Sequence, residues 1–207
     1  MIKNRFRFIA LILLPCLFFI SCTTSIKTTW KNNEYQGEPF RKLMVMVVHE
    51  DEAFSRDFEN SVAGFLRKKG TMAVAVSEMM HRDSIVKYQQ FERTLYRENV
   101  EGILIFSLQG LDPEMNFIPG NGEYLPSYYY NYYAYYYNFQ AMVNAPGYTR
   151  PDAPVVIESN IYTNQGDMLV WTGRTSKMKR SSVRESYAAA GKSTVKKIKR
   201  AGLIAAD

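Results

Sequence analysis

Two short apolar runs, Leu43 to Val48 and Ile103 to Leu108, constrain this fold more than any other feature of the chain. Each is short and lacks an alternation of polar and apolar residues, which suits a strand covered on both faces. Between them Phe54, Phe58, Val62, Phe65 and Leu66 recur at helical spacing, with Arg67, Lys68 and Lys69 in the last turn and Gly70 as the stop. Thr71 to Val76 reads as a further strand. Ser84 to Glu98 reads as a second helix on Ile85, Tyr88, Phe91 and Leu95, capped by Asp83. Strand, helix and strand repeated twice on apolar strands implies parallel neighbours joined by right-handed crossovers.

The second half changes style. Val155 to Tyr162 and Met168 to Thr175 are β-rich and joined by a loop containing Gly166, which predicts a hairpin. Ser182 to Ala201 sets Val183, Tyr187, Ala190, Thr194, Ile198 and Ala201 on one stripe, a closing amphipathic helix. Gly70, Gly102 and Gly166 read as turns and caps. The expected architecture is a single α/β (α+β) domain over residues 40–207. It has a mixed sheet of about five strands with three helices, in the order β-α-β-α-β, then a β-hairpin and a C-terminal helix.

The N-terminus has another character. Lys3, Arg5 and Arg7 precede an apolar run from Phe8 to Ile20, the pattern of an export signal. As a helix that run reaches about 20 Å, short of the ~30 Å hydrocarbon core, so it is not read as a permanent span. Phe19, Ile20, Ser21 and Cys22 resemble the lipobox of bacterial lipoproteins. Small Ser21 seats beside the bond to be cleaved, and the Cys22 thiol receives a diacylglycerol. Phe19 stands where such sequences usually carry Leu; the rival Cys16 follows Pro15, which disfavours cleavage there. The alternative is a cleaved secretory signal in which Cys22 is merely a small residue.

The resemblance implies a signal peptide over residues 1–21, a lipidated, palmitate-bearing Cys22 and a flexible polar tether over 22–39. Without Cys16 and with Cys22 acylated, the remaining chain has no thiol and no disulfide. Thr23 in place of Asp resembles lipoproteins sent to an outer membrane, and no acidic cluster follows Cys22. Both imply a bacterial outer-membrane lipoprotein facing the periplasm.

Trp30, Phe58-Glu59, Leu66 to Gly70, Glu101 to Leu104, Glu158 to Tyr162 and Leu169 to Gly173 resemble a family of uncharacterised bacterial lipoproteins. Their domain is similar to the TolB N-terminal domain, the curli-secretion lipoprotein and penicillin-binding-protein activator lipoproteins. The shared motifs concern packing and turns, so the resemblance implies a shape and an envelope assembly or binding role, with no catalytic residues to carry over.

Residues 115–149 form a tyrosine-rich insertion with a single charge, Glu123. Tyr128, Tyr129, Tyr130, Tyr132, Tyr133, Tyr135, Tyr136 and Tyr137 are read as a partner-binding loop for an envelope protein or a glycan, because tyrosine offers large contact area at low rotamer cost. Tyr124 and Tyr148 flank them. The plainer alternative is a low-complexity insertion partly packed on the sheet. Nucleic acid is not expected, since Lys and Arg do not interleave with the tyrosines.

The formal charge is +6, but residues 171–207 hold ten basic and two acidic residues, while 22–170 hold 13 basic and 18 acidic. The last helix therefore presents a basic face, suited to anionic headgroups, a phosphorylated glycan or an acidic partner, or simply to solvent. For chemistry the inventory is thin. His49 and His81 follow the first two strands of the domain. With Glu50 or Asp51 they could approach a two-His-one-carboxylate metal set, the basis of an alternative reading as a metal-dependent hydrolase. Surface loop histidines are the simpler reading. No nucleophile elbow or phosphate loop occurs. The expectation is a non-enzymatic, lipid-anchored binding or assembly module without a cofactor, with a self-assembling structural lipoprotein, a homo-oligomer, as a further alternative.

Overall fold

The computed structural model describes residues 24–85, 87–110, 127–143 and 154–205; the side chains of Asp83 and Gly110 are not among what is described. The signal segment and Cys22 therefore lie outside the described residues. In chain order the elements are β1 (Ile26–Lys31), β2 (Lys42–Val48), α1 (Glu52–Arg67), β3 (Met72–Ala75), α2 (Val76–Met79), α3 (Arg82–Ile85), α4 (Tyr88–Arg97) and β4 (Gly102–Gly110). A 3₁₀ turn (Ser127–Tyr129), α5 (Tyr132–Val143), β5 (Pro154–Thr163), β6 (Leu169–Thr175), β7 (Met178–Lys179), a second 3₁₀ turn (Arg180–Ser182) and α6 (Val183–Arg200) complete them.

The strand order is β1-β6-β5-β4-β2-β3, with β7 pairing the start of β5. β2 lies between β3 and β4 and is parallel to both, as its unbroken apolar run requires. The remaining main strands add antiparallel through β4–β5, β5–β6 and β1–β6. The crossover from β2 to β3 and the crossover from β3 to β4 move in opposite directions across the sheet. A common hand therefore requires them on opposite faces. Accordingly α1 and α6 bury Phe58, Val62, Leu66, Tyr187 and Ile198 against one face, over Val45, Phe106 and Trp171. On the other, α4 and α5 bury Phe91, Leu95, Tyr135 and Phe139 over Met44, Met46 and Ile105. The mixed α/β architecture is as expected, in a seven-stranded sheet.

Local chemistry sets the main helix. Asp51 caps α1 by accepting the Phe54 amide hydrogen at 3.0 Å, and Gly70, at φ +81°, turns the chain out of it. Glu59 is buried on α1 and holds three elements together. It accepts from the backbone N–H of Val47 (3.0 Å) and of Ser77 (3.3 Å), with the Arg82 guanidinium 3.6 Å away. Burial pushes its carboxyl above the usual range, against the hydrogen bonds and Arg82.

Several expectations need correction. The tether predicted over 22–39 is not one throughout, since Ile26–Lys31 forms edge strand β1 on β6. A register irregularity between Ile26 and Thr28 switches side-chain parity, so Ile26 packs in the α1–α6 layer while Trp30 packs on the opposite face. That hides the strand's periodicity.

The helix predicted over Ser84 to Glu98 is interrupted: Lys87, at ψ 87°, separates α3 from α4. Arg82 on α3 is drawn to the end of β2, donating to the Val47 carbonyl at 3.0 Å. Gly102 is no turn but the first residue of β4, where the Phe40 ring fills the space a side chain would need. Six α-helical segments, rather than three, occur among the described residues. None of them is long and apolar enough to cross a membrane.

Candidate functional site

The tyrosine-rich segment is helical where it is described. Asn131 caps α5, its Oδ1 accepting the Ala134 amide hydrogen at 2.6 Å. Tyr132, Tyr135, Tyr136, Phe139 and Val143 then recur on one face and are buried against the sheet. Tyr129 of the preceding 3₁₀ turn is buried as well. Tyr128 and Tyr133 are half-buried, and Tyr130 and Tyr137 are 51% and 57% exposed.

The reading of these eight residues as one binding loop is thus corrected to a packed helix that divides them between core and surface. Residues 115–126 and 144–149, with Tyr124 and Tyr148, lie outside the described residues. The spacing of Tyr132, Tyr135, Tyr136, Phe139 and Val143, preceded by a capping Asn, was the signal that could have revealed the helix.

Beneath α5 lies a buried polar cluster that sequence reasoning missed. Strands β4, β5 and β6 turn Ser107, Gln109, Glu158, Asn160, Thr172 and Arg174 inward, all of them buried. The Glu158 carboxylate accepts hydrogen bonds from Gln109 Nε2 (2.5 Å), Tyr129 Oη (3.0 Å), Tyr135 Oη (2.6 Å) and Asn160 Nδ2 (3.0 Å). Arg174 Nε also donates to it. Arg174 Nη2 donates to Tyr129 Oη at 3.0 Å, and Thr172 Oγ1 donates to Asn160 Oδ1 at 2.7 Å.

Burial first, and then the Glu158 charge, push the Tyr129 and Tyr135 hydroxyls well above the ordinary tyrosine range. Burial alone would lower the Arg174 pKa, but Glu158 and the tyrosines outweigh it and the pKa is raised. A cluster bonded in this way fastens α5 and the turn before it to the sheet.

On the outside of the same layer the rings form a ladder. Tyr88 of α4 meets Tyr133 edge-on at 5.0 Å, and Tyr133 lies nearly parallel to Tyr137 at 6.4 Å. Tyr88 and Tyr137 are both exposed.

The predicted histidines are not brought together. β2 and β3 are adjacent, as the metal reading supposed. His49 nevertheless turns to the α1–α6 layer, 4.6 Å from the Phe54 ring and 6.2 Å from Tyr187. His81 is exposed and follows Met79 and Met80, which pack on the opposite layer. Among the described residues no group of three His, Cys, Asp or Glu side chains could hold a metal ion.

His49 instead lines a cleft of about 140 Å³ with Glu50, Phe54, Leu108, Arg180 and Arg184. That volume is below the ~300 Å³ at which organic-ligand pockets begin. The Asp51 amide donates to His49 Nδ1 at 2.9 Å, which places the neutral ring's proton on Nε2.

Burial lowers the His49 pKa, Glu50 and Asp51 oppose this, and Arg180 and Arg184 reinforce it. A depressed folded-state pKa gives stability that is present above the unfolded value of about 6.5 and lost as pH falls through the folded value. The stability advantage of the parent over His49→Asn should therefore shrink as pH is lowered from 7.5 in paired urea titrations. A difference that holds constant with pH would contradict this.

Fold and surface together define a three-layer α/β domain with an outward aromatic face over a buried polar cluster. No protein-family model and no curated protein matches the chain. Among solved structures it is similar to two crystal forms of the PelC dodecamer from Paraburkholderia phytofirmans. One, of a leucine-to-methionine variant, has a TM-score of 0.42 at 12% identity and covers 87% of this chain and 99% of that chain. The other has a TM-score of 0.41 at 10% identity and covers 81% and 96%.

Proposed function

We propose that the chain is a lipid-anchored envelope lipoprotein, held through Cys22 at a bacterial outer membrane and facing the periplasm. In this reading it acts as a non-enzymatic binding module. The observation that carries the binding role is the Tyr88–Tyr133–Tyr137 ladder, an outward aromatic surface on helices whose inner faces are locked into the core. Rigid tyrosines present large contact area without a large ordering cost, which suits a protein partner first and a glycan second. The lipid anchor is supported by the charged, apolar and small-residue pattern ending at Cys22. The reading assigns no catalytic step and no cofactor.

Two measurements separate its parts. Labelled palmitate should enter the parent chain and be lost in Cys22→Ala; an unlabelled parent would reject the anchor. A photo-crosslinking residue in place of Tyr137, in intact cells, should capture a discrete envelope component. That capture should be lost in Tyr133→Ser while the domain still unfolds in one cooperative transition. The same products from a crosslinker at Lys68, on the opposite layer, would reject the ladder as the contact surface.

A further inference from the structure

The chain enters the fold beside a basic helix. Ile26 donates its amide hydrogen to Ser193 Oγ of α6 at 2.8 Å, and Lys31, at the other end of β1, donates from Nζ to the Ala201 carbonyl at 2.9 Å. β1 and the C-terminal half of α6 therefore run side by side. Residues 24–31 and 186–205 together hold seven Lys and Arg and no Asp or Glu. Lys192, Lys196 and Arg200 recur every four residues and form one exposed stripe, and Lys27 is exposed on β1. Among the described residues the nearest acids stand at the ends of this edge: Glu34 and Glu38 follow β1 on the segment whose Phe40 amide donates to the Leu203 carbonyl beyond α6, and Glu185 sits in the first turn of α6.

Cys22 precedes Ile26 by four residues. An extended chain advances at most ~3.6 Å per residue, so four residues of chain span at most about 14 Å. A lipid on Cys22 would hold the start of β1 close to the bilayer, without the stand-off that an 18-residue tether would give. That span is an upper limit, and cations on the same edge that come within the ~8 Å Debye length of an anionic surface are attracted to it.

We infer that the β1–α6 edge docks on anionic phospholipid headgroups of the leaflet that holds the anchor, through Lys27, Lys192, Lys196 and Arg200. The geometry rests on the lipid-anchor reading. Because α6 and α5 cover opposite faces of the sheet, the tyrosine ladder is not part of the docked surface.

The test uses the full chain, expressed with its leader, purified in detergent and reconstituted with vesicles of phosphatidylcholine alone or with added phosphatidylglycerol. Flotation with phosphatidylcholine vesicles, lost in Cys22→Ala, reports the anchor. Acylation of Lys27 by a water-soluble ester reports docking. It should fall about fivefold when phosphatidylglycerol is present, recover in high salt, and stay unchanged at Lys87 on the opposite layer. The triple variant Lys192→Glu, Lys196→Glu, Arg200→Glu should float equally well yet lose the protection.

Equal acylation of Lys27 on both vesicle types, with the protein afloat on both, overturns the docking and leaves the anchor standing. Failure to float with phosphatidylcholine rejects the anchor instead. In that case flotation with phosphatidylglycerol that the triple variant loses supports the docking, and its absence overturns it.

Discussion

Glu158→Ala is expected to destabilise the domain by about 3–5 kcal/mol, the usual cost of breaking a buried ion pair from one side. Glu158 and Arg174 are both buried, so removing the carboxylate leaves a guanidinium whose remaining described partner is a neutral phenol, Tyr129. The loss does not stop at the pair. Gln109, Tyr129, Tyr135 and Asn160 all donate to the same carboxylate and would be left short of an acceptor in a space closed by α5. Arg174→Met should cost less than Glu158→Ala, because the four neutral donors keep their acceptor. The double variant Glu158→Leu, Arg174→Met should recover part of the loss, because no charge is then stranded. Urea denaturation of the three variants and the parent checks the order. A loss under about 1 kcal/mol for Glu158→Ala would mean that water reaches the cluster.

The need for this cluster explains what could be read from the chain and what could not. β2, β4, the β5–β6 hairpin, α1 and α6 were legible because their apolar periods are set by burial against an element the same pattern predicts. Along β5 and β6, Ile157, Ile161 and Trp171 alternate with Glu158, Asn160, Thr172 and Arg174. Such alternation ordinarily marks a sheet with one wet face. Here the polar face is dry because α5 covers it.

α5 itself was hidden by its composition. With tyrosine on both its inner and outer faces, it shows little contrast between core and solvent sides, so a helix with a buried stripe resembles a uniform aromatic loop. Misreading one segment therefore concealed both the helix and the six polar residues beneath it. β1 was lost for a different reason, the parity switch near Lys27, which places Ile26 and Trp30 on opposite faces although they are four residues apart. The histidine constellation failed because adjacency of strands does not fix the layer into which the following residues turn. His49 went toward α1 and α6, whereas the segment leading to His81 went to the opposite side.

The sharpest separation between the two roles of the tyrosines comes from a pair two residues apart. Tyr135→Ala should cost about 3–5 kcal/mol, the range for removing a buried aromatic side chain, whereas Tyr137→Ala should stay within about 0.5 kcal/mol of the parent. Tyr135 sits in the middle of the sheet-facing layer, 4.6 Å from Phe139, 5.3 Å from Tyr129 and 5.9 Å from Tyr162. Its hydroxyl also meets Ser107 Oγ at 2.5 Å and donates to Glu158 at 2.6 Å. Truncation therefore opens a cavity and leaves polar groups short of a partner at one stroke, while Tyr135→Phe isolates the polar part at about 1–3 kcal/mol. Tyr137 points outward and, among the described residues, stacks on Tyr133, so its loss should reduce partner capture and spare the fold. For the same reason, excising residues 127–138 should unfold the domain, and a binding test built on that deletion would report lost structure. Equal melting of Tyr135→Ala and Tyr137→Ala would show that α5 is not fastened to the sheet, and would remove the rigid platform on which the tyrosine ladder depends.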